Sequence, residues 1–136
     1  MTMTPPETPT TRTTSTANIT LVRAGWIEQR YREDAQFSPE AVWENMGTIA
    51  AFSAYGPSVV LNIFPAGMAV NLPLMNEDHF REPRPKENIR AMAVVTDSEE
   101  MLTASRLYFI YHQQPFETAV FEDEIDARAW LRKRMT

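Results

Sequence analysis

Two near-continuous apolar segments constrain the fold of this chain more than any other feature. Ser58–Phe64 reads Ser-Val-Val-Leu-Asn-Ile-Phe, and Asn88–Val95 contains the run Ala-Met-Ala-Val-Val. Strands with one wet face alternate apolar and polar side chains, whereas strands buried on both faces are apolar almost throughout. The two segments therefore predict central, parallel strands of a sheet.

The residues before these strands predict an antiparallel hairpin. Ile19–Arg23 and Trp26–Tyr31 both have β-rich composition, and Gly25 lies in the turn between them. Alternation places Ile27 and Tyr31 on one face, with Gln29 between them, and leaves Glu28, Arg30 and Arg32 on a face that we expect to be wet.

Capping residues predict where the helices begin. Ser38-Pro39 starts a helix that ends before Tyr55-Gly56, and Thr96–Glu100 starts one that runs to about Gln113. In that second helix, Leu102, Ser105, Phe109 and His112 predict a buried stripe, which Met101, Tyr108 and Tyr111 widen. A short helix is expected from about Leu72 to Phe80. Glu117–Phe121 is the last strand, and Glu122 and Asp123 cap the last helix, whose buried stripe is Ala127, Trp130 and Leu131.

These elements predict an α/β fold. It has a single mixed, mostly parallel sheet of about five strands with an antiparallel edge hairpin, and about four helices in the order ββαβαβαβα. At 136 residues the chain is long enough for one domain, which we assign to residues 19–136. Residues 1–18 are rich in Thr and Pro and almost free of apolar anchors, so we expect a disordered tail.

Composition excludes several classes of function. The chain has no Cys, which rules out disulfides, thiol nucleophiles and Cys-based zinc sites. A net charge of -5 weighs against nucleic-acid binding, and the basic cluster Arg132-Lys133-Arg134 is accounted for by the end of a helix. No segment approaches the ~20 apolar residues of a membrane span or resembles a secretory leader, so we expect a cytoplasmic protein.

Two segments carry a resemblance to a known family. Arg90-Ala-Met-Ala-Val-Val-Thr-Asp-Ser98 and Ala119-Val-Phe-Glu-Asp-Glu-Ile-Asp-Ala-Arg-Ala-Trp-Leu131 resemble the small bacterial STAS-like domains, which are related to anti-sigma-factor antagonists and to the CRAL-TRIO lipid-binding fold. The resemblance extends from about Ile19 to Lys133. It concerns positions that define the fold and not the chemistry of a site.

The chain departs from the phosphoswitch members of that family. They carry Asp-Ser-(Ser/Ala)-Gly after the third strand, with a phosphorylatable Ser at a helix N-terminus. The corresponding stretch here, Asn62–Leu72, contains neither Ser nor Thr, and Asn71 lies near the position of that Ser. We therefore expect no phosphoswitch at this place.

Three functional hypotheses follow. The first is a non-enzymatic regulatory or protein-interaction module that binds an unknown partner or a second copy of itself, with no cofactor and no metal. Its contacts would involve the loop Pro65–Pro85, since loops often carry function, and its predicted surface residues are Asn62, Met68, Asn71, Asp78 and His79.

The second hypothesis is a small-molecule or lipid-binding domain, with a pocket lined by Phe64, Met68, Met75, Phe80 and Tyr108. The third is an enzyme that uses some combination of Asn62, Asp78, His79 and His112. It has the least support, because the chain contains no nucleophile–base pair, spaced metal ligands or Gly-rich phosphate loop.

Overall fold

In the part of the chain that the structure describes, six strands form one mixed sheet, and their spatial order follows their order in the chain. A computed structural model describes residues 4, 6–36, 38–65 and 88–135. Its elements are β1 (Thr10–Thr13), β2 (Ala17–Arg23), β3 (Trp26–Tyr31), α1 (Pro39–Ser53), β4 (Ser58–Ile63), β5 (Ile89–Val95), α2 (Glu99–Tyr111), β6 (Glu117–Phe121) and α3 (Glu124–Arg132). Strands β1 to β3 are antiparallel, and β3 to β6 are parallel.

The predicted fold class is confirmed in its main features, with one strand more than expected. The mixed sheet has its antiparallel edge at the amino-terminal end, and β4 and β5 are central and parallel. The expected helix from about Leu72 to Phe80 lies outside the described residues, which contain three helices.

The additional strand, β1, lies within the segment for which the sequence predicts a disordered tail. Its threonines favour extended backbone, and β2 supplies the pairing that their composition alone does not reveal. The hydroxyl groups of Thr11 and Thr20 form a hydrogen bond of 2.8 Å, and the Arg12 guanidinium lies 5.2 Å from the centre of the Phe52 ring. The ordered sheet therefore begins earlier than expected.

Side-chain caps fix the start of each described helix, as the sequence predicts. Ser38 accepts a hydrogen bond from the Ala41 N–H at 3.1 Å, and Ser98 accepts one from Met101 at 3.3 Å. Of the two acids expected to cap the last helix, Asp123 is the one that does so.

Each face of the sheet carries its own core. On one face, Ile49 and Phe52 of α1 pack with strand residues, and Phe109 of α2 contacts the same cluster, whose strand members are Ala17, Ile19, Leu21, Ile27, Val60 and Met92. On the other face, Ala127 and Leu131 of α3 are fully buried among Trp26, Val59, Leu61, Ala91, Ala93 and Val95. The result is a three-layer arrangement in which α1 and α2 lie opposite α3.

The expectation of a wet face is wrong for Glu28, because α3 covers this part of β3, whereas Arg30 is exposed as expected. Arg128 of α3 forms an ion pair with Glu28, and Glu124 forms one with Arg30 at 3.1 Å. The two β3 charges are therefore paired with a helix that follows them by about a hundred residues in the chain.

Candidate functional site

Asn62 is the one predicted surface residue that lies among the described residues, and it is engaged in a hydrogen bond. It lies beside Gln29 in the parallel register of β3 and β4. Gln29 Nε2 donates to Asn62 Oδ1 at 2.7 Å and to the Tyr31 hydroxyl oxygen at 2.9 Å. Asn62 therefore has the hydrogen bond that a polar residue in a central strand needs, and its partner lies on the neighbouring strand.

The polar cluster continues into α1 and the β1–β2 turn. Asn45 of α1 accepts a hydrogen bond from the Thr14 hydroxyl at 2.6 Å and donates one to Thr16 at 2.8 Å. Burial raises the pKa of Tyr31 well above its ordinary value, and hydrogen bonds with Asn45 and Asn62 oppose this rise only in part. The phenol is therefore neutral at physiological pH, and the cluster consists of amides and hydroxyls.

One buried atom of this cluster has no partner. Gln29 is 2% exposed, and its Oε1 lacks a hydrogen bond. Exchanging the amide oxygen and nitrogen would leave the nitrogen unpaired in its place, since an amide offers both a donor and an acceptor. A buried, unpaired amide atom costs stability, so Gln29 is a local weak point in an otherwise bonded network.

An open depression of about 670 Å³ lies at the carboxyl end of β3 and β4. Ligands of parallel sheets commonly bind at this edge. One of its lining residues, Arg32, is held by hydrogen bonds to the carbonyl oxygens of Thr14 at 2.8 Å and Ala17 at 3.3 Å. The lining residues are Asn18, Arg30, Tyr31, Arg32, Glu33, Asp34, Ile63 and Pro65.

A charged cluster on the opposite face has a structural role. Arg128 donates to both carboxylate oxygens of Glu28 and, at 3.0 Å, to Glu124. Burial alone would raise the pKa of Glu28, but hydrogen bonds from Arg128 and Trp26 lower it below its ordinary value. Hydrogen bonds from Arg30 and Arg128 likewise lower the pKa of Glu124 against the opposing effect of burial. Every charge is thus paired, and the cluster joins α3 to β3.

The outer side of α2 exposes a row of large apolar side chains. Leu107 is 45% exposed, Ile110 66% and Tyr111 77%. Side chains three and four residues apart lie on the same side of a helix, so the three form one row, here called the α2 stripe. The expectation that Tyr111 widens the buried face is therefore wrong. Contiguous exposed apolar surface is uncommon on monomeric proteins unless it binds something.

The strand against which α2 packs, β6, forms the carboxyl-terminal edge of the sheet. Among the described residues β6 pairs only with β5, and α2 packs against β6. The opposite edge, β1, is four residues of Thr and Arg preceded by Pro9, which is how natural sheets discourage edge pairing. In contrast, β6 ends in Ala-Val-Phe and contains neither Pro nor Lys. The α2 stripe and the β6 edge together are called the α2–β6 surface below.

The remaining predicted surface residues, Met68, Asn71, Asp78 and His79, lie outside the described residues. His112 forms the C-cap of α2, where its backbone N–H donates to the Tyr108 carbonyl at 2.8 Å.

Sequence reasoning missed the α2 stripe, although a signal was present. Leu107 and Ile110 fall outside the buried spacing of α2, so this helix carries more large apolar residues than one face can bury.

Two kinds of feature are absent from the described part of the chain. No three His, Asp or Glu side chains there converge as metal ligands. None of its helices has the length and apolar character needed to cross a membrane.

Comparisons with protein-family models, curated proteins and solved structures returned no match to this chain.

Proposed function

We propose that this protein is a non-enzymatic, protein-interaction module of regulatory type, and that its contact surface is the α2–β6 surface. The observation that carries the proposal is the α2 stripe, in which three large apolar side chains are exposed on one helix that buries only Met101, Leu102 and Ser105. A helix in water is expected to bury its large apolar residues, and an exposed row of them favours a partner.

The scaffold in this proposal is a bacterial, cytoplasmic STAS-like domain that lacks the Ser phosphoswitch. The support is the resemblance in Arg90–Ser98 and Ala119–Leu131, together with the absence of Ser and Thr from Asn62–Leu72. A scaffold does not fix a function, so the interaction itself rests on the surface and not on the family.

The chemistry of the buried cluster favours interaction over catalysis. Asn62 and Gln29 bond each other, and Tyr31 is held neutral by burial. Neutral amides and an un-ionised phenol supply neither a nucleophile nor a general base near pH 7. They do hold β3, β4 and α1 in a fixed arrangement, which a rigid recognition surface requires.

Small-molecule binding is a second candidate, and one observation favours it. The depression at the carboxyl end of β3 and β4 adjoins Tyr31, which bonds the Gln29 amide that has an unpaired oxygen. A small polar ligand with hydrogen-bond donors would suit this environment. A ligand retained through purification and seen by native mass spectrometry would support it, and loss of that ligand in Tyr31→Ala would locate it.

Site-specific photo-crosslinking tests the proposed interaction. A photoreactive amino acid at Ile110 is compared with one at Ile125, which is 78% exposed on α3 and lies across the sheet from α2. We expect discrete crosslinked products from position 110 in the source cells and none from position 125. Equal labelling at both positions, or no product at either, would count against an interaction through this surface.

A further inference from the structure

We infer that the β6 edge receives an extended, basic segment of a partner protein, which pairs with it as a seventh strand. This inference rests on the proposed function and names the partner of the same surface. Three features carry it: the direction of the free backbone groups on β6, the position of the α2 stripe, and the charge at the end of the strand.

The backbone of β6 offers hydrogen bonds to such a segment. The Thr96 N–H donates to the Phe121 carbonyl at 3.0 Å, so the polar groups of Phe121 point toward β5. Backbone groups of successive strand residues point to opposite sides, so Thr118 and Val120 direct their N–H and C=O groups outward. Among the described residues no strand accepts these groups.

The α2 stripe extends the same contact. Because α2 packs against β6, a segment added to β6 runs past the helix that carries the α2 stripe. Strand addition of this kind obtains affinity from main-chain hydrogen bonds and specificity from side-chain contacts. The stripe and the edge are thus two parts of one docking surface.

Charge identifies the chemistry of the partner. The Thr96–Phe121 hydrogen bond brings the turn after β5 beside the turn after β6. These turns and the first residues of α2 expose five acidic side chains, and residues 96–105 and 117–127 contain no Lys or Arg. Complementary charge favours a segment that carries Lys or Arg where it passes this end of β6. The acidic side chains are Asp97, Glu99, Glu100, Glu122 and Asp123.

The same charges oppose a second copy of this chain as the occupant. Glu117 at the start of β6 is already paired with Arg134 at 3.0 Å, so the repulsion between two copies comes from the exposed acidic side chains and the net charge. Each copy has a net charge of -5, and two such copies repel each other. A basic segment from another protein meets no such repulsion.

A labelled probe peptide tests the inference. The probe has alternating Val and Thr with Lys at both ends, and the matched control peptide has Glu in place of Lys. We expect fluorescence anisotropy to show binding of the Lys peptide that weakens as salt is raised, with the Glu peptide at least about tenfold weaker. Equal binding of the two peptides, or no binding of the Lys peptide, would overturn the inference.

Two protein variants locate the peptide. Val120→Pro removes an outward N–H and leaves the bonds to β5 in place, so we expect at least about tenfold weaker binding. Glu122→Lys should weaken binding several-fold, whereas Glu33→Lys makes the same charge change on the exposed β3–α1 connection and should have no effect. Unchanged binding in both Val120→Pro and Glu122→Lys would contradict β6 pairing, even if Val120→Pro alone failed to fold.

Amide hydrogen exchange provides a direct readout of strand pairing. The Thr118 and Val120 amides should exchange rapidly in the free protein and become protected when the Lys peptide is added, while the Ala119 amide is already protected by β5. No gain of protection at Thr118 and Val120 would refute the pairing. A dimer of the wild-type protein that Val120→Pro abolishes in sedimentation would instead identify a second copy as the occupant.

This test is separable from that of the proposed function. Crosslinks from Ile110 without peptide binding at β6 would support the proposed interaction surface and reject strand pairing as its mode of contact. If neither crosslinks nor peptide binding were observed, the proposed function as an interaction module would be contradicted as well.

Discussion

Gln29 donates its side-chain amide to Asn62 across 2.7 Å, and this hydrogen bond joins two strands that are 33 residues apart in the chain. Gln29 is also the residue whose Oε1 has no partner. The pair therefore contributes to the register of β3 and β4 and carries an unsatisfied atom at the same time. Its contribution to stability depends on whether one or both partners are changed.

A double-mutant cycle at this pair should be strongly non-additive. Asn62→Leu alone leaves the Gln29 amide with fewer partners in a buried site, and we expect a loss of about 1–3 kcal/mol in the free energy of unfolding. The double variant Gln29→Leu, Asn62→Leu removes both polar groups and should lose less than the sum of the single variants. Urea unfolding of the four proteins measures the coupling, and additive losses would show that the two side chains do not interact.

The two apolar residues at the end of α3 should differ in their effect on stability. Leu131 is fully buried, and Leu131→Ala should cost about 2–5 kcal/mol. Trp130, which the sequence places in the buried stripe, is only half-buried, packs 5.9 Å from the Phe121 ring and is covered by Arg134. We expect Trp130→Ala to cost less than Leu131→Ala in equilibrium unfolding, and the reverse order would contradict the burial of the two side chains.

Much of the fold could be predicted from local patterns, because those patterns are set by burial and capping. The runs in Ser58–Phe64 and Asn88–Val95 are apolar since helices cover both faces of β4 and β5. Ser38, Ser98 and Asp123 cap helices through hydrogen bonds to residues three positions later. These are short-range interactions, and sequence reasoning captures them well.

The errors concern contacts that are remote in sequence. The composition of Thr10–Thr13 is that of a disordered tail, but the segment is a strand because it pairs with β2. Glu28 has the spacing of a solvated residue, but it is partly buried because Arg128 packs against it. The candidate surface was missed for a related reason. The spacing in α2 indicates that one face cannot bury all of its large apolar residues, but which of them the sheet covers depends on where α2 packs, as the exposure of Ile110 and Tyr111 shows.

The ion cluster between α3 and β3 should make stability depend on acid. The folded pKa values of Glu28 and Glu124 lie below their ordinary value of 4.5. Groups with a depressed folded pKa stabilise the protein above the unfolded pKa, and this stabilisation is lost as the pH falls through the folded pKa. We therefore expect the free energy of unfolding to fall as the pH is lowered from about 5, with most of the loss below the ordinary carboxyl pKa.

Arg128→Met tests this origin of the acid dependence. The variant removes the charge that pairs with both carboxylates, so its stability should change less between pH 7 and pH 3 than that of the wild type. Arg106→Met removes an exposed charge from α2 and should retain the wild-type acid dependence, part of which arises at Glu44, whose pKa is lowered by hydrogen bonds with Ser15. An identical pH profile in Arg128→Met would exclude the cluster as its main cause.

Tyr31 should resist ionisation in alkaline solution. Burial raises its pKa far above the ordinary value of 10.0, so the neutral phenol is favoured by folding. Its stabilising contribution is complete below pH 10 and is lost as the pH rises above the unfolded pKa toward the folded value. In an absorbance titration, Tyr31→Phe and the wild type should show the same tyrosinate signal while both are folded. After alkaline unfolding, the signal of the variant should be smaller than that of the wild type by the absorbance of one tyrosinate. A smaller tyrosinate signal in the folded variant than in the folded wild type would show that Tyr31 ionises in the native protein.

Changes in the α2 stripe should separate binding from stability. Leu107→Ser and Ile110→Ser replace side chains that are 45% and 66% exposed, so we expect each to change the free energy of unfolding by less than about 0.5 kcal/mol. Combined, they should abolish the crosslinked products formed from a photoreactive group at Tyr111. Ile125→Ser on α3 is the matched control, since Ile125 is 78% exposed, and it should leave both properties unchanged. A large loss of stability in Leu107→Ser or Ile110→Ser would mean that the stripe packs within the protein, and its role as a contact surface would then be withdrawn.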